Sequence, residues 1–328
     1  MCREEAAMCH CDALIKAIDR YIAKADGDLA DALGKEGYQK PKKTVKYATE
    51  IEDEVAEALL DETDYFVENF EKSVDLENFA KKVWPKVKLN DGLRAKLTTV
   101  FTEQLSEFMP EFIGYYIKAT DKGLTLAQVS KRTTAWVASW SEELAEIMQL
   151  NSHTEIEKIL TTGLEEGIGM GEFTRRVLES GIRDEQYKAR RVAVTEVLRA
   201  HSVAQQEAFR QSPAVSEKMW RHTGEYRNQP RQNHVDMDGQ RVPIEEPFEL
   251  IGADGVTYAP MYPRDSSLPP GESINCHCIM QPVVSEEILG LSLEERQKLQ
   301  QEAVDEMDEE WEKEMNEKYR KLYGPEEE

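Results

Sequence analysis

Apolar residues recur every three or four positions along most of this chain, the mark of amphipathic helices, and the places where that period fails divide it into regions. Leu14, Ile15, Ile18, Tyr21 and Ile22 mark a first helix. The run GDLADALGKEGYQKPKKT, residues 27–44, then mixes Gly, Pro and Lys and predicts a linker or long loop. From Tyr47 the period returns through Ile51, Val55, Leu59, Phe66 and Phe70, a long helix whose other face is almost wholly acidic. Pro85 and Asn90-Asp91-Gly92 punctuate the stretch after it. A second long helix is predicted from Leu93 to Ala119 through Leu97, Phe101, Leu105, Phe108 and Phe112, with a kink at Pro110. A third covers Leu126 to Leu150, where Trp136 and Trp140 sit one turn apart as core residues. Residues 1–150 thus read as a helical N-terminal bundle. Its carboxylates lie on solvent faces with no nucleophile or base beside them.

Shorter helices come next. Ser152 or Thr154 is placed to cap one, Gly163, Gly167, Gly169 and Gly171 form a joint, and a last helix runs from Asp184 to Gln211. Thr195, Glu196 and Arg199 lie on or near one face of it, the carboxylate and guanidinium at i, i+3 beside apolar neighbours. Ala189, Ala193, Ala200 and Ala204 would let another element approach closely.

Helical period is then lost from Lys218 to Pro282. Asp238-Gly239 is a strong turn signal between His234–Met237 and Arg241–Ile244, and predicts a hairpin. A final strand, INCHCIMQPVV, should pair with the region around Lys218 to His222 and close a small sheet against the 184–211 helix, with Trp220 between them. Glu196, facing that sheet, should pair with Arg199 or Arg231. The tail opens on the cap signature Ser292-Leu293-Glu294-Glu295. Leu299, Val304, Met307, Trp311, Met315, Tyr319 and Leu322 then form one apolar stripe on an acidic helix, and it must be covered by the N-terminal bundle or by another protein. The fold class is α+β, mostly α. It comprises the helical N-terminal bundle (1–150), a small helix-plus-antiparallel-sheet domain with long loops (151–284), and a long acidic helical tail (285–328).

Charge narrows the range of partners. The 328-residue chain has a formal charge of -23, which disfavours non-specific DNA binding by the chain as a whole. The distribution is uneven: residues 285–328 hold 16 acidic and 6 basic side chains, residues 187–241 hold 10 basic and 6 acidic ones. A basic region beside an acidic tail fits docking to an oppositely charged protein surface. The chain has no apolar run long enough to span a membrane, and its start is too polar for a signal peptide, so folding in a cytoplasm is expected.

Five cysteines gathered at two places argue for thiols or metal ligands over a disulfide framework. Cys9-His10-Cys11 echoes Cys276-His277-Cys278 and is either half of a shared metal site or a pair of free thiols. Two readings of the second site stand. Cys276, Cys278 and His234 hold a zinc ion, with His222 or His277 as fourth ligand; or the cysteines pack as small apolar side chains while His234 bonds a loop.

Together the 163–171 glycines, the run from Ala189 to Glu196, then Trp220, Arg231, His234, Asp238-Gly239, Tyr262-Pro263 and Asn275-Cys276-His277-Cys278 resemble, in order and spacing, the Mu F-like minor head (head morphogenesis) proteins of tailed bacteriophages. The resemblance covers residues 150–285. His277 stands where Arg is common in that family, and Arg231 and His234 stand where some members carry a Cys-x-x-Cys pair. The resemblance implies a non-catalytic, low-copy virion component, assembled in the bacterial cytoplasm into a procapsid near the portal vertex. Its expected partners are the portal protein and the major capsid or scaffolding protein, with packaged DNA along the 187–241 basic region. The alternative from another class is a metal-dependent HNH-like nuclease acting on phage or host DNA, built on His234, Asn275 and His277.

Overall fold

The computed structural model describes residues 25–180, 185–223 and 230–323. The helix expected over 14–22 and the Cys9-His10-Cys11 motif lie outside them. The described chain is mostly helical with a small antiparallel sheet, as the periodicity predicts.

Helices α1 (Pro41–Glu71), α2 (Leu93–Thr120), α3 (Lys131–Glu166), α4 (Met170–Glu179) and α5 (Glu185–Gln211) form the body. One continuous core runs through α1, α2, α3 and α5, with Val55, Leu97, Phe101, Phe112, Ala145 and Val197 in it. The predicted alanine stripe explains the central place of α5: Ala189, Ala193, Ala200 and Ala204 are completely buried, so α1 and α2 pack closely on it. Among them His201 bridges the three helices, with Thr44 Oγ1 2.9 Å from Nε2 and Tyr116 Oη 2.8 Å from Nδ1. Burial first, then the nearby Arg264, holds its pKa well below the ordinary value, so it is a neutral link.

Two helical boundaries differ from expectation. Residues 25–35 are helical and not linker, because Leu33 and Tyr38 find a docking place against Leu198 and Ile279. The third helix does not stop at Leu150 but continues to Glu166, so residue 150 falls inside α3. Ser152 and Thr154 cap nothing. They sit within the helix, Ser152 Oγ donating to Glu62 Oε2 (2.9 Å) and Thr154 Oγ1 to the Leu150 carbonyl (2.8 Å), which satisfies both hydroxyls without a break. The helix ends at Gly167, whose φ of 70° supplies the left-handed cap.

The sheet lies against the C-terminal part of α5. β1 (Val215–Arg221) is central, flanked by β2 (Arg241–Pro243) and by β5 (Ile279–Val284), all antiparallel; β3 (Leu250–Ile251) and β4 (Thr257–Tyr258) form a separate ladder. Trp220, fully buried, fills the space beneath the sheet with Phe209, Phe248 and Met280, as expected. The hairpin at Asp238-Gly239 is different. Its first arm is a helical turn, Gln232–Asp236, and β2 pairs with β1 instead. The turn itself is present: Gly239 has a φ of 85° and donates its N–H to the Trp220 carbonyl (2.9 Å). The last strand begins only at Ile279: Asn275 turns the chain at a left-handed φ of 56°, and the Cys276 and Cys278 carbonyls then accept from Arg264 instead of from a neighbouring strand.

α6 (Leu293–Tyr323) carries the tail and packs on α3 and α5. Its capping box forms as read: the Glu295 N–H donates to Ser292 Oγ (3.2 Å) and the Ser292 N–H to Glu295 Oε2 (2.9 Å). Val304 is completely buried, whereas Tyr319 and Leu322 at the far end are exposed. Asp308 accepts the Lys131 N–H (2.9 Å) and so caps the start of α3 from another helix, while Lys131 and Arg132 pair with Glu312 (2.5 Å) and Glu314 (2.8 Å). The stripe therefore finds its partner within the chain along most of its length.

Lys218 on β1 is completely buried, its Nζ donating to Gln206 Oε1 (3.1 Å) and the Met261 carbonyl (2.8 Å). Burial, with a contribution from Arg210, lowers its pKa to about 7 from 10.5. Between those two values the unfolded chain keeps a proton that the folded chain has lost, so stability must rise with pH across that window. Wild type should gain melting temperature relative to Lys218→Met between about pH 7 and about pH 10. A difference that stays flat with pH would place the ammonium in water.

Candidate metal centre

Four side chains meet where the loop before β5 passes under the end of β1. Cys276 and Cys278 are separated by one residue, and in locally extended backbone such positions face the same side while the residue between them faces the other. Both thiols point inward and are buried; His277 points the opposite way, its Nδ1 2.9 Å from Glu36 Oε2. The helical turn Gln232–Asp236 presents His234, whose Nδ1 lies 3.5 Å from Cys276 Sγ and 3.7 Å from Cys278 Sγ. His222, just past β1, places Nδ1 3.6 Å from Cys278 Sγ. The ligand atoms of His234, Cys276 and Cys278 all lie within 4.8 Å of one another. The structure thus gathers the predicted three, brings His222 beside them, and sets His277 aside.

Glu272 completes the surroundings, on a short helix opened by Pro269 and Pro270. Its Oε2 is 2.8 Å from His234 Nε2, and it also accepts from the Ala253 N–H (2.9 Å) and Asn233 Nδ2 (3.0 Å). Arg264, completely buried, donates through Nη1 to the carbonyls of Cys276 (2.7 Å) and Cys278 (2.9 Å), with Cys276 Sγ at 3.9 Å, and through Nη2 to Ser202 Oγ (2.6 Å). It shapes the Cys-x-Cys loop and sets a positive charge beside the sulfurs. The bond from Cys278, reinforced by His234 and Arg264, holds the Cys276 pKa well below the ordinary thiol range although burial opposes it. That same bond, then burial, holds Cys278 well above it. Burial works to lower the His234 pKa, but Cys276 and Glu272 hold it above its usual value. Of the two thiols, Cys276 is thus the one whose surroundings favour ionisation.

Neither Arg264 nor Glu272 was singled out by the sequence. Each sits in a Pro-rich stretch where no period marks a buried position, and only the fold shows them to be internal. The other predicted motif residues have structural tasks. Thr195 Oγ1 donates to the Arg191 carbonyl (2.8 Å). Glu196 pairs with Arg199 (2.9 Å), as expected, but it faces α3 and not the sheet, accepting the Trp140 indole N–H at 2.7 Å. Arg231 is not its partner and donates to the Ile274 carbonyl (2.7 Å). Asp238 accepts the His222 N–H (2.9 Å), which fixes the backbone at that histidine, and Asn275 is a turn residue in the left-handed region. His234 and His277 thus bond different partners, and the His-Asn-His arrangement of the nuclease reading does not converge.

A family model described as Phage Mu protein F like protein matches residues 154–281, which span α4, α5, the sheet and the thiol cluster. The chain is also 33% identical over 309 residues, 90% of its own length and 99% of the other's, to the protein named Uncharacterized protein YqbB of Bacillus subtilis (strain 168). No solved structure matches it. With a match over the whole length of a relative, and a family match centred on the helix and loops that build this site, the chain belongs to the Phage Mu protein F like family.

Proposed function

We propose that this protein is a minor head protein of a tailed phage. It is a non-catalytic, low-copy virion component, assembled in the host cytoplasm into the procapsid near the portal, with a part in DNA packaging or delivery. The family match over residues 154–281 carries this reading. The architecture agrees with it, since the conspicuous polar residues of the matched region serve internal hydrogen bonds and ion pairs.

Charge favours protein partners, namely the portal and the major capsid or scaffolding protein, over DNA. Lys188, Arg190, Arg199, Arg210 and Arg221, half of the basic residues in the 187–241 region, each meet a carboxylate within the chain. That leaves at most half of the region's basic side chains to neutralise phosphates. The outer face of α6, with Glu302, Glu306, Glu309, Glu310 and Glu317 exposed, instead suits a basic protein surface.

Quantitative mass spectrometry of purified procapsids and mature particles tests the reading. The chain should be present in both at a small fraction of the major capsid protein's copy number and should cross-link to the portal. Absence from both particles would reject it, as would a copy number matching the major capsid protein.

A further inference from the structure

We propose that Cys276, Cys278, His234 and His222 hold one structural zinc ion, with Glu272 orienting His234 from behind. Zinc binds sulfur at about 2.3 Å and imidazole nitrogen at about 2.0–2.1 Å in a tetrahedron, so sulfur and nitrogen ligands sit about 3.6 Å apart along its edges. Three of the four sulfur–nitrogen edges such a site would have, Cys276–His234, Cys278–His222 and Cys278–His234, are 3.5, 3.6 and 3.7 Å here. Three of the side chains, His234, Cys276 and Cys278, already stand at the corners of such a site, and His222 lies beside Cys278.

Tautomer supplies an independent sign. A carboxylate only accepts, so the 2.8 Å contact with Glu272 puts a His234 proton on Nε2 and fixes the ring with Nδ1 facing both sulfurs, where a metal can displace any proton it carries. A carboxylate behind a histidine whose other nitrogen faces thiols is the arrangement that orients metal-bound imidazole. Two thiols packing as apolar filler have no use for it. His222 supplies the fourth corner from the end of β1 by a turn of its ring; its backbone is held by Asp238. Four protein ligands close the coordination shell, which marks a structural site and leaves no position for water or substrate.

Charge balances as well. Zinc with two thiolates and two neutral imidazoles is neutral, and the nearby Glu272 and Arg264 offset each other. Such an ion would tie together the end of β1, the Gln232–Asp236 turn and the approach to β5. These pieces surround a sheet of three short strands that has only a small core of its own. The inference does not depend on the head-protein reading.

Full-length protein purified without chelator should contain one zinc per chain by elemental analysis. Exchange with cobalt should give the thiolate-to-metal charge-transfer band and the intense visible bands of a tetrahedral ion. Cys276→Ser and Cys278→Ser should abolish both signals. Because these variants can fail to fold, two peripheral ones carry the test further. Glu272→Gln should weaken zinc about 10- to 100-fold in competition with a chromophoric chelator. His222→Ala should weaken it and alter the cobalt spectrum, whereas His277→Ala should change neither. Zinc-free protein that shows no charge-transfer band on cobalt titration would overturn the proposal, as would iron in place of zinc or full zinc retention by Cys276→Ser. An unchanged cobalt spectrum in His222→Ala would overturn the four-ligand assignment.

Discussion

Glu196→Ala is expected to lower the unfolding free energy by about 3–5 kcal/mol, the usual result of removing one member of a buried ion pair. Glu196 and Arg199 are each only 4% exposed, so water cannot reach in to replace the lost carboxylate. The guanidinium is also packed 4.4 Å from the centre of the Trp140 ring and donates to the Arg264 carbonyl, which prevents it from swinging out to solvent. Truncation therefore leaves a desolvated cation facing an indole N–H that has lost its acceptor. Glu196→Gln separates the two losses: it keeps an acceptor for Trp140 but not the charge, and should cost clearly less than alanine. Urea unfolding of both variants measures this. A loss under about 1 kcal/mol for Glu196→Ala would mean that Arg199 is solvated after all.

Glu207→Ala should cost a comparable amount, about 3–4 kcal/mol, for a different reason. This carboxylate lies three turns further along α5 on nearly the same face and reaches the start of α3, where it accepts the Ser130 N–H (3.0 Å), Ser130 Oγ (2.8 Å) and Thr133 Oγ1 (2.9 Å). Gln211 Nε2 donates to it as well, at 2.8 Å. Glu207 is 1% exposed and Ser130 is completely buried, so these donors have no water to turn to. The carboxylate also sits at the positive end of the α3 dipole. About eleven residues of helix separate it from Glu196, roughly 16 Å, so the two effects should add in the double variant. If Glu207→Ala cost less than about 1 kcal/mol, ordered water would have to enter the start of α3, and hydrogen exchange there would reveal it.

Both carboxylates bear on how the molecule is divided. Each ties a residue of the family-matched region to a residue of α3, or of its cap, that precedes it, and the α1–α2–α3–α5 core does the same with apolar side chains. Reading the chain in segments placed α5 in a small domain with the sheet. Nothing in the spacing of Glu196 or Glu207 says that the face they occupy meets α3, because periodicity names a buried face without naming its partner.

The sequence alone determined the elements whose signals are local. The apolar periods of α1, α2 and α5, the capping box at Ser292, the turn at Asp238-Gly239 and the proximity of Cys276 to Cys278 all depend on residues close together along the chain. Tertiary structure decided everything that depends on which distant surfaces meet. It made residues 25–35 a helix by giving Leu33 and Tyr38 a place to bury, and it carried α3 past Leu150 by satisfying Ser152 with Glu62. It also brought His234 from 42 residues before Cys276, set Glu272 behind it and Arg264 beneath it, and laid the tail's apolar stripe against α3 and α5 up to its exposed far end. Local signals report what the backbone and its nearest neighbours prefer, whereas ligand sets, buried charges and helix partners arise only when separate stretches exclude water together.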